Sequence, residues 1–250
     1  MAGADATQAS DDRARQLWAR TAGLMLVVTN ATAMIAVTTR GGFVVRNDPA
    51  ATASNIVTQE TLFRTGLVFD LLTIAGVIPL IAGLYIVLRP VNRNLALLAL
   101  LWRMIENAVL ATLAFASFAA VTLLAGADFI RGLAPAQTSD LAYALLRIHS
   151  WGFQVGFLFL GLGQLTFTWL WWRSRYVPRW LAGLGLLGSA LLTIMAVGII
   201  IWPPLFALVT MAYMAPMGAY EIGLGLWLLF RGVRLESARA SERRSGGVEA

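Results

Sequence analysis

The feature that most constrains this chain is a series of six long apolar runs, at about 21–39, 66–88, 95–125, 141–172, 181–202 and 205–230, separated by short polar gaps. Each is close to or beyond the ~20 residues a helix needs to cross hydrocarbon. Of the 250 residues, 58% are hydrophobic and 13% charged, where soluble domains average roughly 45–50% and about 25%. The excess apolar surface must face lipid. The expected fold is an all-α membrane protein of six transmembrane helices with both termini in the cytoplasm and a short interfacial helix between spans one and two. Residues 21–232 form the transmembrane domain, residues 1–20 a polar tail, and 233–250 a second polar tail expected to be disordered.

Orientation follows from arginine. Lysine is absent, so all 19 basic residues are Arg, and positive residues in short loops stay on the cytoplasmic side. Arg13, Arg15, Arg20, Arg89, Arg93, Arg173, Arg175, Arg179, Arg231, Arg234, Arg239, Arg243 and Arg244 fall on one side of the six runs. Arg40, Arg46, Arg64 and Arg131 fall on the other. The first run is of spanning length and follows a polar tail, so it reads as an uncleaved first helix rather than a secretory signal.

Composition also excludes chemistry. Without cysteine there are no disulfides, thiolate metal sites or thiol nucleophiles, and without lysine there is no amine for a Schiff base. The formal charge of +6 suggests nucleic acid at first sight, but these arginines sit at helix ends rather than in an aromatic-interleaved patch. His149 is the single histidine, too few for intramembrane zinc or di-iron sites or bis-histidine haem. A Ser-His hydrolase would need His149 with Ser117, Ser150 or Ser189, and no G-x-S-x-G elbow is present. No cofactor and no metal is expected.

In the longest gap, Asp48-Pro49 is an N-cap followed by a first-turn proline, and Glu60 and Arg64 are spaced for an i,i+4 pair. Pro79 and Pro216 fall inside runs two and six, where they are expected to kink the helices and free the carbonyls of Ala75 and Ala212. An inverted three-plus-three repeat would instead match run two with run five, so the prolines do not mark one. Gly152 and Gly156, and Gly183, Gly185 and Gly188 with Ser189, read as close-packing positions. Trp151, Trp169, Trp171, Trp172, Trp180 and Trp202 read as an interfacial belt.

Ionisable groups inside spans cost about 2.5–3.5 kcal/mol each on insertion, which makes them the first candidates for function. Depth along the helices sorts them into two layers. Asp70, Arg147 and His149 lie in the outer third, with Asp70 and Arg147 expected to pair. Arg103, Glu106 and Glu221 lie in the inner third, where Arg103, Glu106 and Asn107 share a helix face at i, i+3 and i+4. Two carboxylates beside one guanidinium leave one able to hold a proton, as a proton-coupled carrier requires. The plainer alternative is that these groups only pin helices together.

Several segments together resemble a family of uncharacterised bacterial integral membrane proteins, domain of unknown function 4386. They are Arg20-Thr-Ala-Gly23, Asn55-Ile56 with Glu60-Thr-Leu-Phe-Arg64 and Asp70, and Leu88-Arg-Pro-Val-Asn-Arg93 leading to Arg103 and Glu106. Ser174-Arg-Tyr-Val-Pro-Arg-Trp-Leu181 and Glu221 with Leu226-Trp-Leu-Leu-Phe-Arg-Gly232 complete the match, which covers nearly the whole chain. The resemblance implies a topology and a bacterial inner-membrane location, and no substrate.

The functional expectation is therefore a carrier of a small solute or lipophilic molecule, its polar path drawn from the two ionic layers. The alternative is a non-enzymatic scaffold or partner-binding protein, and an intramembrane enzyme is least supported. Lipid is the expected environment and nucleic acid is not a partner.

Overall fold

The computed structural model describes residues 2–126, 132–209 and 212–234. Arg131, Thr210, and the C-terminal tail from residue 235 with Arg239, Arg243 and Arg244 lie outside the described residues. All regular elements among those described are helical: α1 (Ala2–Arg40), α2 (Pro49–Thr58), α3 (Glu60–Leu88), α4 (Arg93–Leu124), α5 (Pro135–Ser174), α6 (Arg179–Ile201), α7 (Leu205–Val209), a 3₁₀ turn (Ala212–Met214) and α8 (Ala215–Phe230). Five of them, α1 from Ser10 onward and α3 to α6, are long and apolar enough to cross a membrane.

Local chemistry sets the helix starts. The Asp48 carboxylate accepts from the Ala51 amide at 2.8 Å, with Pro49 in the first turn of α2, and Asn92 caps α4 by accepting from Leu95 at 3.0 Å. Both satisfy amides that a helix cannot pair internally. The expected Glu60–Arg64 pair is present at 2.6 Å in the first turn of α3. The polar N-terminal segment is helical and continuous with the first span.

The long helices pack in a closed ring. α1 contacts α3, α3 contacts α4, α4 contacts α5, α5 contacts α6, α6 contacts α8, and α8 returns to α1. Glycine makes the last contact: a Cβ on Gly23 would come within 2.5 Å of the Leu229 nitrogen, so the α1 and α8 backbones touch there. At the Arg-rich end Gln16 donates to the Val233 carbonyl at 2.6 Å and accepts from the Val233 amide at 3.1 Å. Arg234 donates its amide to the Tyr176 carbonyl at 3.1 Å, joining the α5–α6 turn to the same closure.

Apolar packing falls into two clusters. The larger is built on Leu84 and Leu88, Leu170 and Trp171, Leu181, and Leu224 and Leu228 at the Arg-rich end and extends along α6 and α8 to Ile199 and Met217. A smaller one, of Phe43, Ile56 and Phe63 with Ala120, Val121, Ala142 and Leu146, closes the other end beneath α2. The outer surface carries large apolar side chains such as Leu71, Ile78, Leu101, Phe115, Leu187 and Ile194, as lipid-facing helices do. Hydroxyls inside the helices are satisfied locally: Thr29, Thr73 and Thr193 donate to carbonyls four residues back.

Three expectations are corrected. The sixth apolar run is not one helix: α7, the 3₁₀ turn and α8 divide it, and the 16 residues of α8 span about 24 Å at 1.5 Å each, short of the ~20 residues a crossing needs. Pro216 does not kink a helix interior but sits in the first turn of α8, where its missing amide and fixed φ cost nothing. Trp171 is no interfacial anchor: it is fully buried, 6.5 Å from the Tyr176 ring, whereas Trp151, Trp169, Trp172, Trp180 and Trp202 are exposed.

Pro79 does lie inside α3. Beside the Ala75 carbonyl that its ring leaves without a helical donor, Asn107 of α4 donates to the Ile74 carbonyl at 3.1 Å. Asn107→Ala removes this interhelical bond and is expected to lower stability by about 1 kcal/mol, read as a lower melting temperature in detergent with the helix content unchanged.

Candidate functional site

A cavity of about 250 Å³ lies inside the ring, walled by α1, α3, α4, α5, the 3₁₀ turn and α8. Its wall is mostly apolar, with Leu26, Val77, Leu80, Leu110, Phe153 and Phe157, yet Asp70, Arg103, Glu106, His149 and Glu221 also face it. Five of the seven residues singled out from sequence therefore meet at one space. Asn107 packs against α3 as described, and Arg147 turns away.

The first charged group is built on α4. Arg103 and Glu106 are each only 4% exposed, and the guanidinium Nη1 lies 3.0 Å from Glu106 Oε2. The pair meets by charge and not by an aligned hydrogen bond, leaving Arg103 Nε and Nη1 and Glu106 Oε2 without a hydrogen-bond partner. Helix α5 approaches here because residue 163 is glycine: a Cβ would fall 2.8 Å from the Arg103 Cγ. Glu221 of α8 faces the same cavity, with the side-chain amides of Asn30 and Gln164 near its carboxylate, while the Asn30 amide donates to the Leu26 carbonyl at 2.9 Å.

The second group lies nearer the Arg-poor end, and its cation is not the expected one. Arg40, the last residue of α1, turns inward and forms the ion pair with Asp70 of α3. Arg147 instead lies over the Trp151 ring at 5.9 Å. Successive helix positions are rotated by about 100°, so Arg147 and His149, two residues apart, point to nearly opposite sides, and His149 is the one that faces in. Arg40 also donates to Ser117 Oγ at 3.4 Å and lies over the Phe63 ring at 5.9 Å.

His149 Nδ1 lies 2.9 Å from the Leu113 carbonyl, which can only accept. Nδ1 therefore carries the proton, and Nε2 offers its lone pair to Arg40 Nη2 at 3.4 Å. For Ser117 this geometry argues against a serine hydrolase. Ser117 Oγ does lie 2.9 Å from Nδ1, but a nitrogen that already holds a proton cannot take one from the hydroxyl, so the pair lacks a base.

Asp70→Asn is expected to leave the Arg40 guanidinium without a counter-charge and to lower stability by about 1–3 kcal/mol, the range for a hydrogen bond to a charged group. Arg40→Met combined with Asp70→Leu is expected to recover most of that loss. A melting series in detergent reads both, and an unchanged melting temperature for Asp70→Asn would show that the pair is not formed.

Arg40, Asn30 and Gln164 are not legible as site residues from the sequence, and Ser117 stands out there only as a hydrolase serine. Arg40 stands at the edge of its apolar run, where an arginine reads as a loop charge. Depth was the available signal: residues at the same end of two consecutive antiparallel spans lie at one level, as Arg40 and Asp70 do.

Fold and site together define a class: a helical protein with five helices apolar enough for a membrane, around a partly open cavity that carries buried charge. The chain matches the family described as domain of unknown function 4386 over residues 21–232, and it belongs to that family. Nothing among functionally curated proteins or solved structures matches it.

Proposed function

We propose that this protein is a multi-pass carrier that binds a small, largely apolar molecule in the central cavity and passes it across a bacterial inner membrane. The cavity is the observation that carries the reading: a close-packed scaffold needs no internal space, and this one has about 250 Å³ ringed by helices. A dry apolar cavity of ~150 Å³ takes up benzene, so this volume suits a substituted aromatic or an aliphatic molecule of similar bulk. Polar groups at two levels of an otherwise apolar wall are what orients a ligand in such a site.

In this reading the chain crosses six times, with α7, the 3₁₀ turn and α8 together forming the last, discontinuous crossing. Closure of the ring by α8 supports it, as does the arginine distribution, which favours both termini in the cytoplasm. Discontinuous helices beside a buried polar site are a recurring way to line a pathway, because irregular backbone is tolerated where it borders a cavity.

Protein purified in mild detergent from its native membrane is expected to release a small molecule on denaturation, identified by mass spectrometry, and to move that molecule into proteoliposomes. Ala33→Trp, which places a bulky ring on the cavity wall, is expected to abolish both while leaving the melting transition cooperative. Equal retention and flux in Ala33→Trp would overturn the reading.

A further inference from the structure

We infer that the cavity takes an organic monocation, an ammonium group on an apolar body, with the Glu221 carboxylate as its counter-charge and one proton leaving as it enters. The inference rests on the cavity being the ligand site. The charge pattern on its wall selects the class. Arg103 is engaged by Glu106 on its own helix at 3.0 Å, and Asp70 is matched by Arg40, which does not line the cavity itself. Glu221 has no cation beyond the Arg103 that it shares with Glu106: α1 and α5 bring only the neutral amides of Asn30 and Gln164 near it.

No element packed around Glu221 supplies a further charge at this level. α4 contributes Arg103 and Glu106, α8 itself the Tyr220 phenol, and α3 and α6 no charged side chain there. One guanidinium thus serves two carboxylates. In a wall this apolar the surplus negative charge requires a proton or a cation beside it. Phe153 and Phe157, with ring centroids 5.8 Å apart, line the same space, and aromatic faces attract ammonium groups while accommodating an apolar body.

The exchange is balanced. The cation arrives with one positive charge, the carboxylate proton departs with one, and no covalent bond forms or breaks. An anion would have to approach two carboxylates to reach Arg103, and a neutral molecule would leave the proton where it is.

Calorimetric titration of the full-length protein in nanodiscs, with protein-free nanodiscs as blank, tests this with three probes: benzyltrimethylammonium, benzyl alcohol and phenylacetate. The cation is expected to bind at least about tenfold more tightly than the other two, a difference that free-energy arithmetic places well within reach of one buried charge contact. About one proton per cation is expected to be released, read from the dependence of the heat on buffer ionisation enthalpy. Glu221→Gln is expected to erase both the preference and the proton release, and Glu221→Asp to retain them.

The comparison of probes on the unaltered protein stands even where a variant misfolds. Tighter binding of phenylacetate or benzyl alcohol would overturn the cation assignment and leave the cavity reading intact. Cation binding without proton release would overturn the exchange. Failure of all three probes to bind would overturn both the inference and the reading beneath it.

Discussion

Replacing Arg103 with alanine is expected to destabilise the protein by about 3–5 kcal/mol, the range for removing one partner of a buried ion pair. Arg103 and Glu106 are almost completely enclosed, and Glu221 faces the same guanidinium from α8. Without Arg103 the Glu106 carboxylate is left in a low-dielectric space with no cation, beside the proton-holding Glu221. The cost lies mainly in the charge left behind rather than in the lost contact, so a paired removal must behave differently. Arg103→Met combined with Glu106→Leu is expected to restore most of the melting temperature, since replacing a buried pair by apolar groups of similar volume is often neutral or stabilising. Denaturation in detergent micelles reads the series. A loss below about 1 kcal/mol in Arg103→Ala, the scale of a weak surface pair, would show that the carboxylates find other partners.

Gly23→Val is expected to cost about 3 kcal/mol, at the upper end of the usual range for overpacking. A Cβ at this position would meet the Leu229 nitrogen at 2.5 Å, the Gly225 oxygen at 2.8 Å and the Leu228 carbonyl carbon at 2.9 Å. All three are backbone atoms, which cannot swing aside as a side chain does, so α8 as a whole must move off α1. The ring then opens where Glu221, one turn before Gly225, meets Asn30 of α1. The variant is therefore expected to lose ligand retention together with stability. Gly156→Ala is the matched control: its Cβ would meet only the Leu110 and Val109 side chains, at 3.6 and 3.8 Å, and it is expected to melt within about 0.5 kcal/mol of the parent. Equal effects from the two substitutions would refute the account of how the ring closes.

The two glycines also show where pattern reading stops. Gly152 and Gly156 form the spacing that suggests helix contact, and a Cβ at Gly152 would fall 2.3 Å from the Leu113 side chain of α4, whereas one at Gly156 would make only ordinary side-chain contact. Gly23 and Gly225, in different helices and in no local motif, make the tightest crossing of the closure. A motif records spacing within one helix. Whether another backbone passes over it depends on which neighbour the fold supplies.

The same division runs through the candidate site. Composition and run length by themselves determined an all-helical chain with helices suited to a membrane, because no other structure satisfies backbone groups across such apolar stretches. Spacing along the runs determined depth, at 1.5 Å per residue, and depth alone grouped Asp70 with Arg147 and His149, and Arg103 with Glu106 and Glu221. Asp48-Pro49 fixed the start of α2 because capping is local chemistry. Tertiary structure decided the rest: that Arg40 and not Arg147 answers Asp70, that the last apolar run breaks before Pro216, that Trp171 is core, and that the two ionic groups border one cavity. Each depends on the rotation of a helix about its own axis and on the helix beside it. Those are set by side-chain packing among segments remote in sequence, which a one-dimensional pattern of polarity does not encode.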